Sequence, residues 1–402
     1  MTSRVSSSGF HYRSLNALLD AQSRLARTQE QVASGRRIVT PADDPVGATR
    51  IQDLSRQIAA SDQYLRNNDV ARGRLSLEEQ TLADIGSALN RIRELTVQAS
   101  NDTVDYSSRQ LIRIEIEGRV QELIDLGNRK DGQGEYLFAG LATLTQPFAR
   151  VGGTVQYFGD QGARMQQVSE TQRVGDGDSG FDVFGRIDEG NGTFVTSAGA
   201  ANTGTGSMST GSVVDRAAWT GGTYTVQFTS ASTWQVLDSA SPVPNVIASG
   251  PYQSGGAITF SGINVAIAGS PAAGDEFEVR EAAATDLFST LDALVATLAS
   301  NTDQGPAKAK YRTSLDASIA QLDRSLDRML EVRANVGVRL NTLDVAQAAQ
   351  QDSSLDLQGL LSQVRDLDYA EATSRLSLQY TGLQAAQKSM ASVGQLSLFD
   401  YL

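Results

Sequence analysis

The sequence has no cysteine, which excludes disulfides, thiol catalysis and thiolate metal sites. Histidine occurs once, at His11, with no second imidazole from which to build a metal site or a triad, so it reads as a surface or interface residue. Aromatic residues make up only 6% of the chain, so a core must come from Leu, Ile, Val and Ala. Positive charge is in deficit, with 34 Lys and Arg against 46 Asp and Glu, and the net charge of −12 argues against nucleic-acid binding. No run of eighteen apolar residues is present, so no membrane-spanning helix is expected. The opening MTSRVSSSGFHYRSL lacks the apolar stretch of a cleaved secretory signal. A cysteine-free chain suits an extracellular protein that travels unfolded, by a route that reads something else.

What the chain has instead is helical periodicity at both ends. From Asp368 the sequence reads DYAEATSRLSLQYTGLQAAQKSMASVGQLSLFDYL. Asp368 is placed as an N-cap with Glu371 three residues on, as in a capping box. Leu376, Tyr380, Leu383, Gln387, Met390 and Val393 step by four and three along one face, and Gly394 is expected to stop the helix. The stretch closes in Leu396, Leu398, Phe399, Tyr401 and Leu402. Between Leu376 and Phe399 only Lys388 is ionised. A lone helix in water cannot bury such a stripe, so it needs a partner helix.

The N-terminal end offers one. Val5 to Ser34 reads as a helix whose seam is Leu15, Leu18, Gln22, Leu25, Gln29 and Val32, with Gly35 as its stop. Pro41 and Pro45 then break the helix, and Asp43 and Asp44 cap the next one. That second helix is expected from Gly47 to about Ala99, carrying Ile51, Leu54, Ile58, Leu65, Leu75, Leu82 and Leu89, with an interruption near Asn67 and Asn68. A third, capped by Asp105 or Ser107, carries Leu111, Ile114, Val120, Leu123 and Ile124. After Asp286 the helical pattern returns. A short helix covers Leu287 to Leu298, and a long one starts near Ala307 with Leu315, Ile319, Leu322, Leu326, Met329, Arg333, Val336, Leu340 and Leu343 on its seam.

The middle differs. Between Gly175 and Thr285 lie 18 of the 37 glycines. Residues 224–229, 233–237, 257–260, 263–267 and 276–280 read as strands, and 154–158 as part of a hairpin. Residues 196–212, rich in Ser, Thr, Gly and Ala, read as a mobile loop. The expected fold class is α+β, a long antiparallel helical bundle or coiled coil built from both chain ends with an inserted antiparallel β domain. Its expected divisions are 1–45 with 366–402 as a terminal helical domain, 46–135 with 286–365 as a helical rod, and 136–285 as a β-rich outer domain.

No constellation of residues reaches the threshold for catalysis, and no cofactor or metal is expected. The Asp43–Asp44 pair reads as a cap complementing a helix dipole. Asp176, Asp178 and Asp182 resemble the start of a calcium loop, but Phe181 stands where that loop needs glycine and Ile187 where it needs its last acid. Trp219 and Trp234 read as sheet-core residues, with a sugar-facing role as the alternative. Met329 and Met390 read as packing.

Two segments carry a family resemblance. ASGRRIVTPADDPVGA at 33–48 and DYAEATSRLSLQYTGLQAAQ at 368–387, closing with LSLFDYL, resemble the flagellin family with its hook-associated relatives. The PADDPVG form and the FDYL ending are most similar to members at the hook–filament junction. The resemblance implies a structural subunit, exported unfolded by the flagellar type III apparatus with a chaperone and folded at the growing tip. It also implies self-association in a ring or tube, with the first hook-associated protein and flagellin as neighbours. The assembly interface would comprise Leu15, Leu18, Leu25 and Val32 with Leu376, Leu383, Met390, Leu396, Leu398 and Phe399. Pro41, Asp43, Asp44, Pro45 and Gly47 would make the turn between layers, and Gln22 and Gln29 would set register. Four other readings stay open: a filament flagellin, a glycan-binding adhesin, a hydrolase that no residue supports, and pairing of the two terminal seams within one chain.

Overall fold

A computed structural model describes residues 7–239, 245–300 and 304–399; the side chains of residues 7, 8, 10, 11 and 393–399 lie outside that description. In chain order the elements begin with helices α1 (Ser7–Ser34), α2 (Pro45–Ala99) and α3 (Tyr106–Gly127). Strands β1 (Phe148–Val151), β2 (Thr154–Tyr157), β3 (Met165–Gln167) and β4 (Arg173–Gly175) precede the short α4 (Gly180–Phe184). Next come β5 (Ile187–Asp188), β6 (Phe194–Ala198), β7 (Ser207–Met208), β8 (Ser212–Val213), β9 (Thr223–Ser230) and β10 (Thr233–Asp238). They are followed by β11 (Asn245–Pro251), β12 (Ala257–Phe260), β13 (Ile263–Ala268), β14 (Glu276–Glu281) and β15 (Ala284–Thr285). Helices α5 (Leu287–Ala299), α6 (Gly305–Arg365) and α7 (Tyr369–Phe399) complete the chain. Helices at both ends with a β insert between them are the α+β plan read from the sequence.

The chain forms two compact units, one of residues 1–67 with 346–402 and one of residues 68–345. The first is helical, from α1, the start of α2, the end of α6 and α7. Among its described residues the buried apolar ones are few: Leu25, Ile38, Leu54, Ala346, Leu361, Ala372 and Leu383. The Ser61 hydroxyl ties α2 to α6 through the main-chain oxygen of Gln350 at 3.2 Å and its side-chain oxygen at 3.0 Å.

The second unit holds a helical rod and the β module. On α2, Leu75, Leu82 and Leu89 are completely buried, as are Ile85 and Ile92. On α6, Leu315, Leu322, Met329, Val336 and Leu343 recur every seven residues, and all are buried. That heptad repeat is the signature of helices packing along a shared seam. The other half of the α6 seam departs from the sequence reading. Ser325 and Val332 are buried, whereas Leu326 and Arg333 are only half-buried. Steps of three and four fit a 3.6-residue turn about equally well, so periodicity alone leaves a one-residue choice at every second position. On α3, Ile112 and Ile116 are buried along with Val120, Leu123 and Ile124, while Leu111 and Ile114 are exposed.

α2 runs through Asn67 and Asn68 without interruption. Asn68 is buried and donates through Nδ2 to the carbonyl of Leu343 at 2.8 Å, so the residue that suggested a break makes a cross-helix hydrogen bond instead. Gly394 likewise does not end α7, which continues to Phe399. A helical glycine costs only about 1 kcal/mol relative to alanine, and the residues that follow, Gln-Leu-Ser-Leu-Phe, are compatible with a helix.

In the β module a five-stranded antiparallel sheet, ordered β11-β10-β9-β14-β6, accompanies a smaller sheet of β12, β13, β7 and β8. Their shared core includes Phe194, Tyr224, Val226, Phe228, Phe260, Val265, Ile267, Phe277 and Val279. Alternation on β9 puts Tyr224, Val226 and Phe228 inward, as a half-buried strand requires. Ser261 and Gly262, both at positive φ, close the two-residue turn from β12 to β13. Residues 196–212 are not a loop throughout. They contain the end of β6 and all of β7, and the stretch between is held by the Asp275 carboxylate, which accepts from the amides of Thr203 (2.8 Å) and Gly204 (3.0 Å). The small residues are there because a Cβ on Gly204 would collide with the main chain at Ala272.

Candidate assembly site at the chain ends

The turn after α1 and the turn before α7 are built on each other. Gly35 ends α1 at φ +69°, a conformation that glycine adopts without strain, and a Cβ there would sit 2.8 Å from the Tyr369 hydroxyl. The Arg37 amide donates to Arg365 at 2.7 Å, and the Leu367 amide to Gly35 at 3.0 Å, around an antiparallel bridge between Arg36 and Asp366. The Arg37 guanidinium donates to the carbonyl of Val364, in the last turn of α6, where carbonyls lack helical partners and a cation complements the helix dipole.

The two aspartates of the turn have separate tasks. Asp44 caps α2, accepting from the Gly47 amide at 2.9 Å, and Pro45 opens the helix, where its missing N–H costs nothing. Asp43 folds the turn onto itself, accepting from the amides of Thr40 (2.9 Å) and Val39 (3.2 Å) and from the Thr40 hydroxyl (3.1 Å). The Thr40 amide, helped by the Thr40 hydroxyl, the Val39 amide and Arg27, holds the Asp43 carboxyl below its ordinary value. Gly47 is buried under Ile38, whose methyl occupies the place a Cβ would need. Pro41 and Pro45 are exposed. At the other end Asp368 caps α7 through the amides of Ala370 (2.9 Å) and Glu371 (3.2 Å), while the Glu371 carboxylate pairs with Arg375.

From these turns α1 and α7 pack along each other, the end of one beside the start of the other. Leu25, Leu383 and Ala372 are buried, and Leu18, Val32, Leu376 and Met390 are half-buried. The alternate positions differ from the sequence reading. Ala21 and Thr28 turn inward on α1, and Gln379 on α7, whereas Gln22, Gln29, Tyr380 and Gln387 are exposed. Small side chains at the contact let two helices approach, and the longer glutamines lie outside it, so Gln22 and Gln29 do not set the register of this pair. The Thr28 hydroxyl is satisfied by the Arg24 carbonyl at 3.0 Å. Large apolar groups stay uncovered in the single chain: Leu15, Leu19, Leu378 and Tyr380 are all more than two-fifths exposed. Leu396, Leu398 and Phe399 were placed at the same interface, and their side chains lie outside the described residues, as do Val5, Tyr401 and Leu402 altogether. His11 lies on α1, with its side chain also undescribed.

The remaining candidates are used inside the second unit. Asp176 pairs with Arg164 at 2.8 Å, Asp178 with Arg339, and Asp182 with Arg186 at 3.3 Å, so the calcium-like acids are held by arginines. Trp219 packs on Phe194 and Tyr224, and Trp234 donates to the carbonyl of Pro251 at 3.1 Å. Both indoles pack against the module core, so neither stands free as a sugar platform. Sequence reasoning missed Arg37: nothing local marks an arginine whose partner lies more than three hundred positions away.

Comparison with known proteins fits this arrangement. The bacterial flagellin N-terminal helical region matches residues 5–143, and the D2-like domain of flagellar hook-associated protein 1 matches residues 197–281. Flagellar hook-associated protein 3 of Escherichia coli is 26% identical over 398 residues, 99% of each chain. The crystal structure of FlgL from Xanthomonas campestris is 34% identical, covers 77% of this chain and 99% of its own, and superposes with a TM-score of 0.72. The flagellar junction protein FlgL of Legionella pneumophila is 32% identical, covers 79% of this chain and 100% of its own, and has a TM-score of 0.71. The chain therefore belongs to the flagellar hook-associated protein 3 (FlgL) family and is a structural component of the bacterial flagellum.

Proposed function

We propose that this protein joins the hook side of the flagellum to the flagellin filament, through subunits whose paired ends are completed by neighbouring subunits. The observation that carries the reading is the α1–α7 pair, closed by the Arg37 turn yet leaving Leu15, Leu19, Leu378 and Tyr380 uncovered. Burying one large aliphatic side chain contributes roughly 1.5–3 kcal/mol, so a few such groups between subunits offset much of the cost of association. Copies of this chain form a ring or tube, with the first hook-associated protein on one side and flagellin on the other. The terminal helices line the inside, and the β module faces solvent. The subunit leaves the cell unfolded through the type III apparatus, with an export chaperone and without a cleaved signal, and its role is structural, not enzymatic. Immunogold labelling of intact flagella tests this. A single band where hook meets filament supports it, and label along the whole filament would make the protein a flagellin.

A further inference from the structure

The rod holds a knot of charge that assembly does not use. On α2, Ala71, Glu78, Ile85 and Ile92 recur every seven residues on the buried face, and Glu78 is only 1% exposed. A carboxylate at a seam position is strongly disfavoured unless it is paired. The Glu78 Oε1 accepts the Asp178 amide at 3.1 Å, and its Oε2 is buried with no hydrogen-bond partner.

The guanidinium groups nearby bind other acceptors, although Arg74 Nε is itself buried without a hydrogen-bond partner. Arg74, one turn earlier on α2, gives its guanidinium to Asp131 at 2.6 Å and to the carbonyl of Tyr136 at 2.9 Å. Arg164, before β3, binds Asp176 at 2.8 Å and Glu135 at 2.9 Å. Arg339, on α6, binds the Asp178 carboxylate. Three guanidinium groups thus face five carboxyl groups. Four of the five have an arginine, and Glu78 is the one left over. The main chain at Gly177 lies over it: the place of a Cβ there is 3.4 Å from Arg74 Nε and 3.8 Å from Glu78 Oε2. Burial first, and then the Asp178 carboxylate, push the Glu78 carboxyl well above its ordinary range, with Arg339 and the Asp178 amide opposing.

We propose that Glu78 remains a neutral carboxylic acid in the folded protein at neutral pH, and that its lack of charge lets residues 176–178, which lead into the β module, stay closed on the helical rod. Ionised Glu78 would set two carboxylates against each other under a covering of main chain. A raised native pKa makes a contribution to stability that is complete below the ordinary glutamate value of 4.5 and is lost as pH rises through the raised native value. The clasp therefore weakens progressively as pH rises above about 4.5, until the native value is passed.

The test is infrared spectroscopy of the full chain with thermal unfolding. The wild type is expected to show a neutral-acid carbonyl band at about pH 7, where ordinary carboxyl groups are ionised. The band is expected to disappear in alkali, to be absent from Glu78→Gln and to persist in Asp316→Asn, which removes the other carboxyl that burial pushes up. Glu78→Gln carries an amide in place of the neutral acid. Its Tm should match the wild type in acid and exceed it by several degrees at about pH 9. A wild type with no such band, or a Tm difference that does not change with pH, overturns the proposal. Should Glu78→Gln fail to fold, the band in wild type and Asp316→Asn decides alone.

Discussion

The guanidinium of Arg37 donates to the carbonyl of Val364 through both Nε (3.2 Å) and Nη2 (2.8 Å), so a residue just past the first helix closes the end of the sixth. Arg37→Ala removes both bonds and leaves the Val364 carbonyl without this partner. Because the side chain is half exposed, the expected loss is about 1 kcal/mol, that of an ordinary hydrogen bond and less than a buried charge-assisted one. It would be read as a lower urea midpoint with an unchanged slope. Arg37→Lys should recover only part, since an ammonium cannot reproduce the planar fork.

Gly47 has Ile38 where a Cβ would stand. Gly47→Ala would normally favour a helix, by about 1 kcal/mol. Here the sign reverses, because Ile38 is buried and the Asp44 cap lies against the same spot. Thermal unfolding should show a lower Tm for Gly47→Ala. The same exchange at Gly118 on α3, which has open space around it, should raise Tm.

The Asp43 carboxyl is held below its ordinary value, chiefly by the Thr40 amide. A depressed native pKa gives stability that is present above the ordinary 3.8 and is lost as pH falls through the lower native value. Wild type should therefore lose more stability than Asp43→Asn between about pH 5 and about pH 2, and the two should converge in acid. Parallel urea midpoints over that window would remove Asp43 from the account.

The helix boundaries were legible wherever a residue had a local reason to stand there. Gly35 at positive φ, Asp44 before Pro45, Asp105 before α3, Asp286 before α5 and Asp368 before α7 all act within three or four residues of their own position. The strands at 224–229, 233–237 and 257–260 were legible from alternation and turn residues for the same reason. Strand β11 was missed because its residues alternate weakly and lie at the edge of the sheet, largely exposed.

Long-range choices were not legible. Whether Thr28 or Gln29 faces α7 depends on how closely that partner approaches, which periodicity does not encode. Asn68 resembled a helix breaker until its acceptor, Leu343, was known. Nothing in the sequence marks Glu78, because Arg164 and Arg339 and the acids they bind lie on other segments. At the candidate site the buried Leu25 and Leu383 stand at positions picked out by periodicity, whereas the Arg37 latch joining the two ends carries no local signal.

Leu383 is buried on α7 against α1, and Leu383→Asp places a carboxylate at that contact. The change lies outside the β module, so the purified variant should keep the β-sheet signal and the thermal transition of that module. The decisive measurement is the amount of this variant in purified hook–filament complexes from cells that make no wild-type copy, compared with cells that do. The account predicts that the variant is exported but absent from the complexes; normal filaments carrying it in wild-type amounts would contradict the claim that the paired chain ends build the joint.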